Sequence, residues 1–122
     1  MTRSVTNSEI RFILTDFQDT HISDGCRPFF SIEPCHDALG SCAYEHTYRD
    51  GKTYRTGIIH LHSEIRRHPI LIKGVLWHEF CHHMTWQLTG KTGHAEVFRR
   101  CYEKEPWLCL LNTMALLFVK ID

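Results

Sequence analysis

No stretch of these 122 residues stays apolar for long enough to cross a membrane. The longest apolar run, Leu108 to Val119, is broken by Asn112 and Thr113, and Met1-Thr2-Arg3 leads into no apolar secretory core. Charge of one sign is missing too. Fourteen basic residues stand against fourteen acidic ones, so the bulk electrostatic pull toward nucleic acid or anionic membrane is absent. The six cysteines, at positions 26, 35, 42, 81, 101 and 109, contain no C-x-x-C pair, and without a secretion signal reduced thiols are expected. Repeats, low-complexity tracts and linkers are lacking as well. With 43% hydrophobic content, the chain is expected to fold as one domain over residues 1–122, soluble and intracellular, in the cytoplasm or in a eukaryotic nucleus.

What is present alternates helical and strand patterns. Ile10, Ile13, Leu14 and Phe17 recur at helical spacing after Asn7-Ser8-Glu9, which predicts a capped helix of about two to three turns packed on a sheet. Gly25, Pro28 and Pro34 punctuate the next segment, where Phe29-Phe30-Ser31-Ile32 offers a short strand. Cys42 to Tyr48 and Lys52 to His62 flank Asp50-Gly51 and predict a β-hairpin. From Ile70 to Leu88, after Pro69, apolar residues cover almost every face, so this helix is expected to be central and buried. Gly90 closes it. Thr92-Gly93 leads into a helical segment from His94 to Glu103, and Glu105-Pro106 restarts a last apolar helix, Trp107 to Lys120.

Within the buried helix, His78, Glu79 and His82 spell H-E-x-x-H. Residues four apart share one helical face, so both imidazoles can reach one cation with the carboxylate beside them. This is the working set of a zinc peptidase: two histidines and a third protein ligand hold the metal, the metal activates a water, and Glu79 takes that water's proton as general base. Burying two imidazoles and a carboxylate in so apolar a helix is costly unless a cation compensates, whereas the competing reading makes them core histidines satisfied by backbone carbonyls. The metzincin extension would need Gly at 85 and His at 88, where the chain has Thr85 and Leu88. His94 is the leading third ligand, twelve residues beyond His82 and past the Gly90 break, with Glu96, Glu103 and Glu105 as competitors.

Four ordered segments extend the pattern: Leu39-Gly40-Ser41-Cys42-Ala43-Tyr44, Ile58-Ile59-His60-Leu61-His62, His78-Glu79-Phe80-Cys81-His82, and Gly93-His94-Ala95-Glu96-Val97-Phe98-Arg99. In that order they resemble the SprT-like zinc metallopeptidase family, the Spartan-type protease domain, over roughly residues 38 to 100. Ala95 stands where the family has glycine, and His62 where it has serine. The resemblance implies His94 as third ligand of a single zinc ion, and an α+β zincin-like fold with a small antiparallel sheet packed on helices around a central H-E-x-x-H helix. It also implies hydrolysis of peptide bonds in protein substrates, DNA-associated proteins among them. An edge strand, placed at Gly57 to His62, would bind an extended peptide by backbone hydrogen bonds. His60 and His62 on it are expected to be solvated side chains, His83 to bond Glu79 or fill the core, and Tyr102 to serve as an oxyanion donor.

For partners, a protein or peptide substrate is expected and a membrane is not. Arg66-Arg67 and Arg99-Arg100 are the local hints of phosphate contact, and no zinc ribbon follows within these residues, so intrinsic nucleic-acid affinity is expected to be weak. Two other functions compete. One is a non-catalytic or latent zinc-binding interaction module, against which the intact Glu79 argues. The other is a peptide deformylase-like hydrolase, in which Gly40-Ser41-Cys42 would supply a thiolate ligand but for which the N-terminal glycine-rich motif is absent.

Overall fold

The computed structural model describes residues 3–21, 29–89, 93–94 and 96–121. The breaks expected at Gly25, Pro28, Gly90 and Thr92, and the Ala95 position, lie outside the described residues. Among the described residues, four α-helices and three strands follow in the order α1 (Asn7–His21), β1 (Phe29–Cys35), β2 (Gly40–Arg49), β3 (Lys52–His62), α2 (Leu71–Thr89), α3 (Glu96–Tyr102) and α4 (Pro106–Phe118). The architecture is α+β. A short 3-10 turn at Ile65–Arg67 connects β3 to α2.

Helix α1 is longer than its apolar spacing suggested, with 15 residues, and its cap is Thr6 rather than Asn7 or Ser8. Thr6 Oγ1 accepts from the Glu9 amide at 3.2 Å while the Glu9 carboxylate accepts from the Thr6 amide at 3.1 Å, a reciprocal capping box. Its apolar face meets α2 rather than lying on the sheet: the Phe17 ring is 5.1 Å from Trp77 and 5.6 Å from Phe80.

Asp50 and Gly51 both take positive φ, at 53° and 77°, and close a two-residue turn that pairs Arg49 with Lys52. Positive φ at both central positions suits a type I′ turn, which matches the right-handed twist of the flanking strands. From this turn β2 and β3 run antiparallel as far as Gly40 opposite Leu61. The sheet is mixed, however, because β1 pairs with β3 in parallel, Phe29 opposite Thr56 through Cys35 opposite His62. The order β1-β3-β2 puts Gly57–His62 in the central strand, which corrects two expectations. The sheet is not purely antiparallel, and β3 is not an edge; β1 and β2 are.

Helix α2 forms the axis of the molecule. Ile72, Leu76, Trp77, Phe80 and Cys81 are fully enclosed, with the sheet contributing Ile59 and Leu61 and α4 contributing Ala115. Burying one such large apolar side chain stabilises by about 1.5–3 kcal/mol. Helices α2 and α4 come close at Gly74, where an added Cβ would lie 2.6 Å from the Leu111 carbonyl carbon and nearer still to the Asn112 nitrogen. A hydrogen at this position lets α4 approach α2 backbone to backbone, one turn before His78.

Candidate metal centre

Helical spacing and the α2–α4 contact set the position of each side chain. His78 and His82, one turn apart on α2, face outward from the core beside His94, which lies just before α3. The ligand-capable nitrogens of the three lie within 4.8 Å of one another, with His78 Nε2 3.1 Å from His82 Nε2 and 3.4 Å from His94 Nε2. Two nitrogens bound to a tetrahedral zinc at about 2.0–2.1 Å stand about 3.3 Å apart, so these separations fit the edges of a zinc coordination sphere. The rings rest on Phe98 of α3, whose centroid lies 4.3 Å from His82, 4.9 Å from His94 and 5.2 Å from His78.

The electrostatics fit the same ion. Burial first, and then the neighbouring imidazoles, push the pKa of His78 down to about 4; burial and His94 do the same to His82. Both rings are therefore neutral at physiological pH and offer lone pairs. Glu79, on the next position of α2, is only 4% exposed, and burial pushes its carboxyl up to about 8. Its Oε1 lies 3.9 Å from His78 Nε2, while its buried Oε2 has no hydrogen-bond partner among the described residues. A buried carboxylate left this way is expensive unless a cation or a proton joins it. Both the donor set and the orphaned oxygen thus suit a divalent metal.

Asn112 was not identified from the sequence, where it appears as an interruption of an apolar run. Buried on α4, its carboxamide nitrogen lies 3.3 Å from His78 Nδ1 and 3.0 Å from the Tyr102 hydroxyl. A half-turn of the amide sets Oδ1 against Nδ1–H instead, the acceptor that a histidine coordinating through Nε2 needs. The signal in the sequence was the lone amide inside Leu108–Val119, but its target lies on another helix. Tyr102 belongs to the same network. Its hydroxyl, expected as an oxyanion donor, is engaged by Asn112 and donates to the Cys109 carbonyl at 3.4 Å.

The remaining candidates fall elsewhere. Glu96 pairs with Arg100 at 2.7 Å and Glu105 with His21 at 3.0 Å, and neither they nor Glu103 join the three-histidine group. His83 fills the core, its ring 4.5 Å from Phe30, and burial pushes its pKa down to about 4. His62 is buried rather than solvated and accepts from the Glu64 amide at 3.0 Å; His60 is half-buried, near the Pro34 carbonyl. Of the arginine pairs, Arg66 donates to the Val5 carbonyl at 3.1 Å, Arg67 lies 3.6 Å from Glu64, and Arg100 holds Glu96. Cys35, Cys81, Cys101 and Cys109 are free thiols. Among the described residues no helix is long and apolar enough to cross a membrane. Comparison of the chain with protein-family models, with curated proteins and with solved structures finds no match.

Proposed function

We propose that this chain is a zinc-dependent metallopeptidase of the SprT-like kind, with His78, His82 and His94 holding one zinc ion and Glu79 acting as general base. The observation that carries this reading is the convergence of three imidazoles beside a buried carboxylate whose second oxygen is orphaned. When bound, zinc lowers the pKa of a water and polarises a carbonyl oxygen. Glu79 accepts the proton of the attacking water and passes it to the departing amine; burial alone leaves its carboxyl protonated at neutral pH, and a neighbouring cation would favour the carboxylate that this step needs.

The outer edge of β2, unpaired by any strand among the described residues, is the supporting feature for a peptide substrate. Gly40 opens that strand, and a Cβ there would come within 3.6 Å of Glu79 Cγ. An extended peptide added to this edge passes beside the base and is held by main-chain hydrogen bonds with little side-chain selectivity. Three of the four arginines once offered for phosphate are held by partners within the chain, so recruitment to DNA-associated proteins would fall to another molecule. Cys42 is absent from the histidine group, which weighs against the deformylase reading.

The test is hydrolysis by protein loaded with one equivalent of zinc. Casein is cut, formyl-Met peptides are not, and a chelator abolishes the activity. A protein that holds zinc and cuts neither substrate is the interaction module instead.

A further inference from the structure

Two thiols outside the catalytic set lie against each other. Cys81, fully buried on α2 between Glu79 and His82, has its Sγ 3.0 Å from Sγ of Cys101 on α3. We propose that Cys81 and Cys101 are an oxidation site, converted by hydrogen peroxide to a disulfide that ties α2 to α3.

The geometry needs little adjustment, since the sulfurs close from 3.0 Å to about 2.05 Å with both cysteines already facing each other across the helix interface. Cys101 is the half-buried member and so the one a small oxidant reaches. Its thiol is held below the ordinary value by the hydrogen bond it shares with Cys81, against the effect of burial and with help from Lys104. The chemistry balances in two steps. The Cys101 sulfur attacks one peroxide oxygen, the O–O bond breaks, and sulfenic acid and water form. The Cys81 sulfur then attacks Cys101 Sγ, the S–O bond breaks, and the hydroxyl leaves as water with the Cys81 proton. Cys109, the nearby alternative, is committed to the Tyr102 carbonyl, to which its thiol donates at 3.0 Å.

A consequence follows for the metal, and this part rests on the three-histidine reading. Cys101 lies on the helix that carries Phe98 beneath the imidazoles and begins two residues after His94. A covalent tie to α2 restrains the opening by which His94 would leave its two companions.

The experiment uses the intact chain. Zinc-loaded protein is treated with peroxide, digested without reduction and mapped by mass spectrometry, and metal release to excess chelator is timed before and after oxidation. A Cys81–Cys101 cross-linked peptide is expected, absent from Cys101→Ser, together with release slowed roughly tenfold or more and restored by dithiothreitol. Two free thiols, sulfinic acid at Cys101, or a Cys101–Cys109 link would overturn the oxidation site. An unchanged release rate despite the cross-link would overturn the tether. If the reduced chain holds no zinc, the functional reading fails on its own, and the peptide map still decides the thiol pair.

Discussion

Asn112 lies 3.3 Å from His78 Nδ1, and on the proposed reading that contact separates a built metal site from three histidines that happen to meet. A ligand imidazole without an acceptor at its other nitrogen loses its preferred tautomer and ring orientation, typically at a cost of about 10–100-fold in metal affinity. Asn112→Ala is expected to lose zinc affinity in that range in a chelator competition, while Asn112→Asp, which offers only acceptor oxygens beside His78 Nδ1, retains most of it. Equal affinity in Asn112→Ala would show that the amide merely fills space. At the same scale, His94→Ala is expected to empty the site by metal analysis, with Glu96→Ala and Glu103→Ala keeping it full. The reverse pattern would replace His94 as the third ligand. The histidines were legible in the sequence because His78 and His82 are bound by helical periodicity and His94 lies within one short connection of them. Asn112 was not, since its contact joins two helices across 34 positions and no local pattern encodes it.

Among the elements, the α2–α4 contact decides whether that network exists. Alanine is intrinsically better than glycine inside a helix by roughly 1 kcal/mol, so Gly74→Ala would stabilise an exposed helix. Here the methyl group meets the Leu111–Asn112 backbone, which cannot rotate away as a side chain would. Overpacking of this kind costs about 1–3 kcal/mol or more, and calorimetry is expected to show a net loss of stability with weakened zinc binding as α4 shifts from His78. A Gly74→Ala protein as stable as wild type, with full zinc affinity, would refute the close approach. The hairpin was readable because Asp50-Gly51 carries its own backbone preference, and α2 because its apolar residues fill nearly every face. The parallel pairing of β1 was not. A parallel neighbour is chosen by tertiary packing, here Phe30 and Ile32 against the core, and no turn residue announces it.

For the whole molecule, the buried titratable groups make stability depend on pH with two opposite signs. His83, fully buried, has its pKa lowered from 6.5 to about 4: as pH drops below 6.5 the unfolded chain takes up a proton that the folded one refuses, so stability falls by about 1.4 kcal/mol per pH unit until it levels off near 4. Glu79 is raised from 4.5 to about 8: its contribution is complete below 4.5 and is lost as pH rises toward 8, because the unfolded chain releases a proton that the folded one keeps. Between pH 6.5 and 8 only the Glu79 effect remains of these two. The melting temperature of metal-free protein is therefore expected to fall across that interval, and zinc, or Glu79→Gln, to flatten the fall. Identical slopes in all three samples would contradict a buried carboxylate awaiting a cation. The central claim, that this carboxylate is the base of a zinc peptidase, is tested most directly by casein hydrolysis measured alongside zinc content for Glu79→Gln and wild type. Glutamine keeps the shape and leaves the histidines untouched but accepts no proton, so full zinc occupancy with activity reduced at least about 100-fold is predicted. Activity within about tenfold of wild type at equal zinc content would contradict it.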